Sequence, residues 1–411
     1  MKSRITSVIN NQAFLLLEIM IAFSLMTLFL ISSLTLGETM QRLYNQAEKN
    51  LINLENRIPE LESKYVYSDY SEAWGRDNCY EYIHYNLSKF ILYSQGIELG
   101  INNISTDIEV RYSIIYLTTD SSILSAPDFY IINAENPQSP YIISSIHTSP
   151  GLSSVEIASH YAYLANMSSV NQIQILDIEN RENPILISTL KLPLPTASTT
   201  APWAESIFYY KDKIYLGTKK WNGREFAIID VSDPYLPNYL GGYETNTLIN
   251  DIYVKDNLAY LATSDMKQMR ILDISDPTNI VEIDSFSPSG YSVQEGKTLS
   301  FSKDIFSLGR TVGGFNNTNN HEFFLFSTTS NITPIFSKDI PGGVYNILLR
   351  PPNIYISTKS PGRELQILDQ TLEDMILEYP LSFLPNAFTC DRNTFYFATG
   401  DSKGIGILKI N

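Results

Sequence analysis

The side chains able to do chemistry in this chain are few and scattered. Glu18 is a lone carboxylate inside an apolar run that begins at Phe14 and carries no further charge from Ile19 to Leu36. A carboxylate near a bilayer core costs about 3 kcal/mol, so it needs a partner and a purpose. Cys79 and Cys390 are the only thiols. They cannot make a metal site alone, though they can make a disulfide if their backbones approach within about 7 Å. His84, His147, His160 and His321 show no metal-ligand spacing. Asp recurs in Leu-Asp-Ile and close variants, as Asp177, Asp230 and Asp273. Standing just before a turn, it is expected to bond turn amides, which is a structural role. Gly-x-Ser-x-Gly, a phosphate-cradling loop and His-Glu-x-x-His are all missing from the sequence. The expectation is no catalytic residue, no metal and no cofactor.

Composition narrows the partners. A net charge of −15 argues against nucleic acid and anionic membrane surfaces as partners of the soluble part. Tyr is abundant at 27, and Gly and Pro number 20 each, a mixture that suits strands and turns. The length allows one large domain beyond the apolar segment.

The segment Phe14–Leu36 is long enough to span a bilayer. Lys2 and Arg4 precede it, so the positive-inside rule keeps the leader cytoplasmic and the bulk outside. A secretory signal peptide would have a shorter core followed by an A-x-A-like site, and Leu36-Gly-Glu-Thr lacks that pattern. Beyond the span, Met40, Tyr44, Ala47, Leu51, Leu54, Ile58 and Leu61 recur every three or four residues as a heptad-like helical stripe. Pro59 is expected to kink or end that helix. The stripe suits packing on its own domain or on neighbouring helices.

The stretch Ala13-Phe-Leu-Leu-Leu-Glu18 resembles the N-terminus of type IV pilins and pseudopilins. The resemblance implies cleavage between Ala13 and Phe14 by prepilin peptidase and methylation of the new Phe14 amine. It also implies that Glu18 neutralises the amino terminus of a neighbouring subunit during filament assembly. The family usually has Gly where this chain has Ala13. An uncleaved signal anchor is the plainer alternative.

From about residue 105 the chain repeats itself. Ile175-Leu-Asp-Ile-Glu-Asn-Arg-Glu-Asn-Pro184, Ile228-Ile-Asp-Val-Ser-Asp-Pro234 and Ile271-Leu-Asp-Ile-Ser-Asp-Pro277 are copies, with Phe129-Tyr-Ile-Ile-Asn-Ala-Glu-Asn-Pro137 a looser one. Units begin near Thr106, Ser153, Glu205, Asn250, Thr298, Val344 and Asn386, about 40–50 residues apart, the period of four-stranded propeller blades. The fifth unit is degenerate: Phe323–Ser327 is its third strand, and 313–320 expands the loop before it. The Leu-Asp-Ile-Ser-Asp-Pro copies resemble the LVIVD-repeat β-propellers of bacterial and archaeal surface proteins, which implies architecture and surface location more than any one activity.

The fold expectation is therefore an all-β seven-bladed β-propeller preceded by a long N-terminal, partly transmembrane α-helix. The divisions are a leader at 1–13, the helix at 14–64, a linker at 65–104 and the propeller at 105–411. The seventh unit ends on its third strand, which would expose a sheet edge. Leu87–Tyr93 is the apolar run placed to close it, unless it forms a short helix. The Tyr-rich 65–86 linker is expected to pack on the propeller base. Closure brings Cys79 and Cys390 into one blade. They can bridge only if the Cys79 segment turns inward, and otherwise both are free thiols.

The leading functional expectation is a minor-pilin-like surface protein whose propeller is a binding or adhesive head on a type IV pilus or related filament. Its partners would be prepilin peptidase, other pilin subunits, the membrane and an unknown surface ligand, with no nucleic acid bound by the propeller. It would sit in the cytoplasmic membrane before assembly and on the pilus or cell surface afterwards. The alternatives are a pseudopilin-like part of a secretion or DNA-uptake machine, and an anchored propeller enzyme whose site would gather at the central channel.

Overall fold

The repeat dictates short strands, because each unit holds stretches of β-branched and aromatic residues punctuated by Asp, Asn, Gly and Pro. The computed structural model describes residues 78–79, 90–94, 97, 99 and 103–410, apart from 122–125, 149, 196–200, 289–294, 312–320, 329–331, 351–352, 370–374 and 402–403. The expected cleavage site, Glu18 and the membrane helix lie outside these residues, as does nearly all of the Tyr-rich linker. The chain divides between Ala73 and Trp74, and the described residues all belong to the second unit.

That unit is a seven-bladed β-propeller built from seven sheets. Blade 1 runs Asn103–Arg111, Ile114–Ser121, Phe129–Asn133 and Tyr141–Ile146 from channel to rim. Blade 2 comes next with Leu152–Ala158, Tyr161–Asn166, Ile173–Asp177 and Ile185–Leu190. Blades 3 and 4 have innermost strands Ala204–Tyr210 and Ile249–Lys255 and outermost strands Asn238–Tyr243 and Val281–Phe286. Blades 5 and 6 begin with Gly296–Ser302 and Asn346–Arg350. Blade 5 ends in a strand cut to Phe336–Lys338.

Blade 7 is assembled from both ends of the unit. Pro385–Arg392, Thr394–Thr399 and Ile405–Ile410 supply three strands. Phe90–Ser94 adds antiparallel to the outer edge, with Phe90 opposite Ile410. Asn78–Cys79 adds parallel to the inner edge, with Asn78 opposite Asp391 and Cys79 opposite Arg392. The sheet thus has five strands where the others have four.

Burial follows position. Second and third strands are buried on both faces, as in Tyr161–Asn166 and Phe129–Asn133, because each face packs on a neighbouring blade. Outermost strands such as Tyr141–Ile146 keep exposed residues. The apolar side chains therefore form clusters between blades rather than one core. One joins Phe129 and Ile131 to Val155 and Ile157, and another joins Tyr396 and Ile407 to Ile115 and Ile132, closing the ring.

The Asp of each repeat bonds turn amides, as its position before the turn suggests. Asp177, Asp230 and Asp273 accept the amide of the residue two further on, at 2.9 Å each. Such bonds hold the Asp230 and Asp273 carboxyls below the usual range. The turn beyond it also latches adjacent blades. Ser144 of blade 1 donates its hydroxyl to the Arg181 carbonyl, and Ser188 of blade 2 donates to the Pro234 carbonyl, both at 2.6 Å. Arg181 is therefore the structural counterpart of Pro234, each standing four residues past the repeat's Asp.

In blade 3 the latch position is Gly241. A Cβ there would stand 1.8 Å from the Pro277 carbonyl oxygen, so only glycine permits this approach. Gly241→Ala should lower unfolding free energy by about 1–3 kcal/mol in urea titrations. Ser188→Ala, which removes one hydrogen bond without a clash, should cost only about 1 kcal/mol. Equal losses would mean that the close approach at Gly241 is not a constraint.

Candidate functional site: the central channel and the crossover face

The innermost strands line the channel, and most carry a β-bulge near their start. The pairing register slips by one residue at Thr106, Ser153, Glu205, Asn250, Lys297 and Asn386. Blade 6 shows no such slip. A bulge leaves one residue unpaired and re-aims its side chain. Four of the freed side chains reach the next blade. Thr106 donates to the Leu152 carbonyl at 2.7 Å and Ser153 to the Ala204 carbonyl at 3.0 Å. Asn250 donates to the Gly296 carbonyl at 2.7 Å, and Asn386 to the Ser105 carbonyl at 2.8 Å, which spans the closure.

The residue after the bulge adds a second tie where it is Asp. Asp107 accepts its neighbour Ile108's amide at 2.9 Å with one oxygen. With the other it accepts the Ser154 hydroxyl at 2.6 Å and the Val155 amide at 3.0 Å. Asp251 repeats this with the Leu299 amide at 2.8 Å. Glu109 accepts the Ile157 amide and pairs with Arg111 at 2.6 Å. Asp391 accepts the Ser113 amide at 2.9 Å across the closure, and burial pushes its carboxyl up.

These bonds limit what the channel can do. Its narrow cavity of about 90 Å³ is lined by innermost strands of all seven blades and includes Asp107, Glu109, Asp251 and Arg350. That is room for a few waters and well short of the roughly 300 Å³ of a small-molecule pocket. None of the described histidines lines it. Asp107, Glu109 and Asp251 bond backbone amides of the next blade, which is structural employment.

A second set of buried acids and amides escaped the sequence reading. Asp128, Gln172, Glu225, Glu322 and Glu364 each stand immediately before a third strand, and all are buried. Each side chain accepts a backbone amide just past the fourth strand: Thr148, Leu192, Thr245, Ile340 and Leu381 respectively, at 2.8–3.0 Å. They fix the crossover to the next blade. The legible signal was an Asp, Glu or Gln directly ahead of the apolar third strand in blades 1 to 6.

The two ends of the propeller differ. One end holds the hairpin turns and the Asp/Pro turns, and it is rich in acids. The other holds the crossovers and the second-to-third-strand loops; both expose large apolar side chains, Tyr112, Tyr235 and Leu236 at the first and Val170, Trp203, Met266 and Leu384 at the second. Lys219 stands over the Trp203 ring at 4.6 Å, and Lys359 over the Tyr345 ring at 4.1 Å. Exposed apolar side chains among cations suit a binding surface.

The LVIVD repeat matches residues 152–191, 220–245 and 249–287, which fall in blades 2 to 4. The chain carries LVIVD repeats. No curated protein sequence matches it. Virginiamycin B lyase from Staphylococcus aureus is a similar solved structure, with TM-score 0.58 and 15% identity, covering 79% of this chain and 100% of the lyase. The Neurospora crassa Pan2 WD40 domain is another, with TM-score 0.57 and 10% identity, covering 83% of this chain and 96% of that domain. At such identities the likeness is one of fold.

Of the residues expected to act, Ala13, Phe14 and Glu18 lie outside the described residues. Cys390 is buried on the Pro385–Arg392 strand of blade 7, next to Asn78–Cys79, and is disulfide-bonded. Among the described histidines, His147 bonds the Ala126 carbonyl at 2.8 Å and His321 bonds Ser337. His160 alone meets two carboxylates, Asp177 and Glu179, a grouping that the linear spacing hides.

Blade 5 departs from its siblings in carrying a buried Arg310 where most of the others have Thr. Arg310 donates to the His321 carbonyl at 2.9 Å. Burial, with Asp339 nearby, pushes the Glu322 carboxyl up to about 7, against the pull of the Ile340 amide and the Arg310 charge. The folded state therefore holds the Glu322 proton more tightly than the unfolded state does between its ordinary 4.5 and about 7. Its contribution to stability falls as pH rises through that window and is lowest above it. Glu322→Gln keeps an acceptor for Ile340 and removes the titration. From about pH 5 to about pH 8 the variant should lose less stability than the parent protein in urea titrations, and an equal loss would refute the assignment.

Proposed function

We propose that the chain is a minor-pilin-like protein whose LVIVD propeller is a binding head carried on a type IV pilus or related filament. A β-propeller with LVIVD repeats suggests a protein-interaction domain. The observation that carries the filament reading is Glu18, five positions into an uncharged run that begins at Phe14 behind a short basic leader. A carboxylate there is costly unless it is paired, and the amine of a neighbouring subunit is the pairing the pattern implies. Among the described residues no helix is long and apolar enough to cross a membrane, and the proposed span precedes them. The head's ligand would meet the crossover face around Trp203 and Met266, since the channel is narrow and its acids are tied to backbone.

On this reading, mass analysis of membrane-extracted protein gives a chain that starts at Phe14 with a methylated amine. Glu18→Ala leaves cleavage and propeller folding intact while incorporation into sheared filaments falls, because breaking a buried ion pair costs about 3–5 kcal/mol. An intact Met1 leader beside an active prepilin peptidase, or normal incorporation of the variant, would sink it.

The disulfide belongs to the same reading. Cys390 is disulfide-bonded, the chain has 2 cysteines, and Asn78–Cys79 runs alongside the Cys390 strand. Cys79 is the proposed partner, and the bond would persist outside the cytoplasm. It would close a loop of nearly the whole propeller and stabilise it by up to about 5 kcal/mol. Thiol counting on denatured, unreduced protein should find no free thiol, and reduction should lower the melting temperature. Two free thiols in exported protein would overturn the pairing.

A further inference from the structure

The acidic end of the propeller has one position where the repeat's structural side chains are exchanged for metal-ligand types. In each early blade, the hairpin between the first and second strands lends a carbonyl to the residue after the repeat's Asp or Asn. Ser113, His160, Asp212 and Asn257 are equivalent in this role, bonding the amides of Ala134, Ile178, Val231 and Ile274 at 2.8–2.9 Å. The side chains beside them are the repeat's own residue, namely Asn133, Asp177, Asp230 or Asp273, and the residue two further on. That last residue is Ser232 in blade 3 and Ser275 in blade 4, and a glutamate in blades 1 and 2. Only blade 2 combines all three ligand types, as His160, Asp177 and Glu179, whose ligand atoms lie within 4.8 Å of one another.

We propose that His160, Asp177 and Glu179 form a binding site for a divalent first-row transition ion of the zinc class. The donor set is one imidazole and two carboxylates, which suits zinc and its neighbours better than calcium, a cation that prefers six or more oxygens. Three protein ligands leave a coordination position for water. The scaffold is already set. The His160 carbonyl is held by the Ile178 amide at 2.8 Å, and Asp177 accepts the Glu179 amide at 2.9 Å, so the backbones of all three ligands are linked. The imidazole is oriented by the Ser159 hydroxyl, 3.1 Å from Nδ1, and by the Tyr161 ring, with centroids 4.1 Å apart. Such outer contacts fix a ligand ring and raise its affinity for metal. A surface hollow lined by Asp177, Glu179, Asn180, Asn183 and Ile185 gives an ion and its water an open approach.

The test uses the intact protein in detergent, stripped with a chelator and titrated calorimetrically with Zn²⁺ and separately with Ca²⁺. His160→Ala and Glu179→Gln are compared with it, and Asp177 is left in place because it holds the turn. Near-UV circular dichroism checks that both variants keep the native fold. The expected result is one equivalent of Zn²⁺ per chain, no competition from Ca²⁺, and affinity at least about tenfold weaker in each variant. Absence of saturable Zn²⁺ binding, or an isotherm unchanged in either variant, would overturn the site.

Discussion

Ring closure is the constraint on which everything else in this propeller depends. No blade encloses a core of its own. The buried side chains lie in clusters shared between neighbours, with Val155 and Ile157 of blade 2 covering Phe129 of blade 1, and so on round to Tyr396 against Ile115. A four-stranded sheet with both faces apolar is stable only when both faces are covered. One missing neighbour would expose two faces at once. The unit meets this demand by taking blade 7 from both of its ends, with Phe90–Ser94 on the outer edge and Asn78–Cys79 on the inner.

Polar groups carry the same logic to places that apolar contact cannot reach. Thr106, Ser153, Asn250 and Asn386 at the bulges, the Asp107 and Asp251 carboxylates, and Asp128, Gln172, Glu225, Glu322 and Glu364 ahead of third strands all bond backbone, and most do so across a junction between elements. Buried donors and acceptors that lack partners are costly, so each of these side chains fixes a geometry as well as stabilising it. Acids crowded round a propeller channel invite a catalytic interpretation. Here the backbone amides they accept explain Asp107 and Asp251 without any substrate.

The sequence made the strand order legible because its period is strong. Third strands such as Ile271-Leu-Asp273 announce themselves through apolar runs closed by Asp, and the shortage of a strand at the C-terminus pointed to a donor from upstream. Less was legible wherever one residue carries the geometry. A bulge is a single extra residue, and Thr106 or Ser153 looks like any polar residue at a strand start. Asn78–Cys79 is too short to carry a periodic signal. His160 and Asp177 lie far apart along the chain, and only the hairpin's return joins them. Ala13, Phe14 and Glu18 lie outside the described residues.

The mixed parentage of blade 7 also sets an order in time. Phe90 leaves the ribosome well before its partner Ile410, with blades 1 to 6 between them. Blades 1 to 6 can gather as they emerge, each on the one before, but Phe90–Ser94 must wait unpaired until Ile405–Ile410 has been made. Pairings this distant in sequence form slowly, and an open edge left waiting is exposed to mispairing. The polypeptide therefore has a vulnerable interval built into its maturation, and anything that shields residues 90–94 during that interval would raise the yield of closed rings.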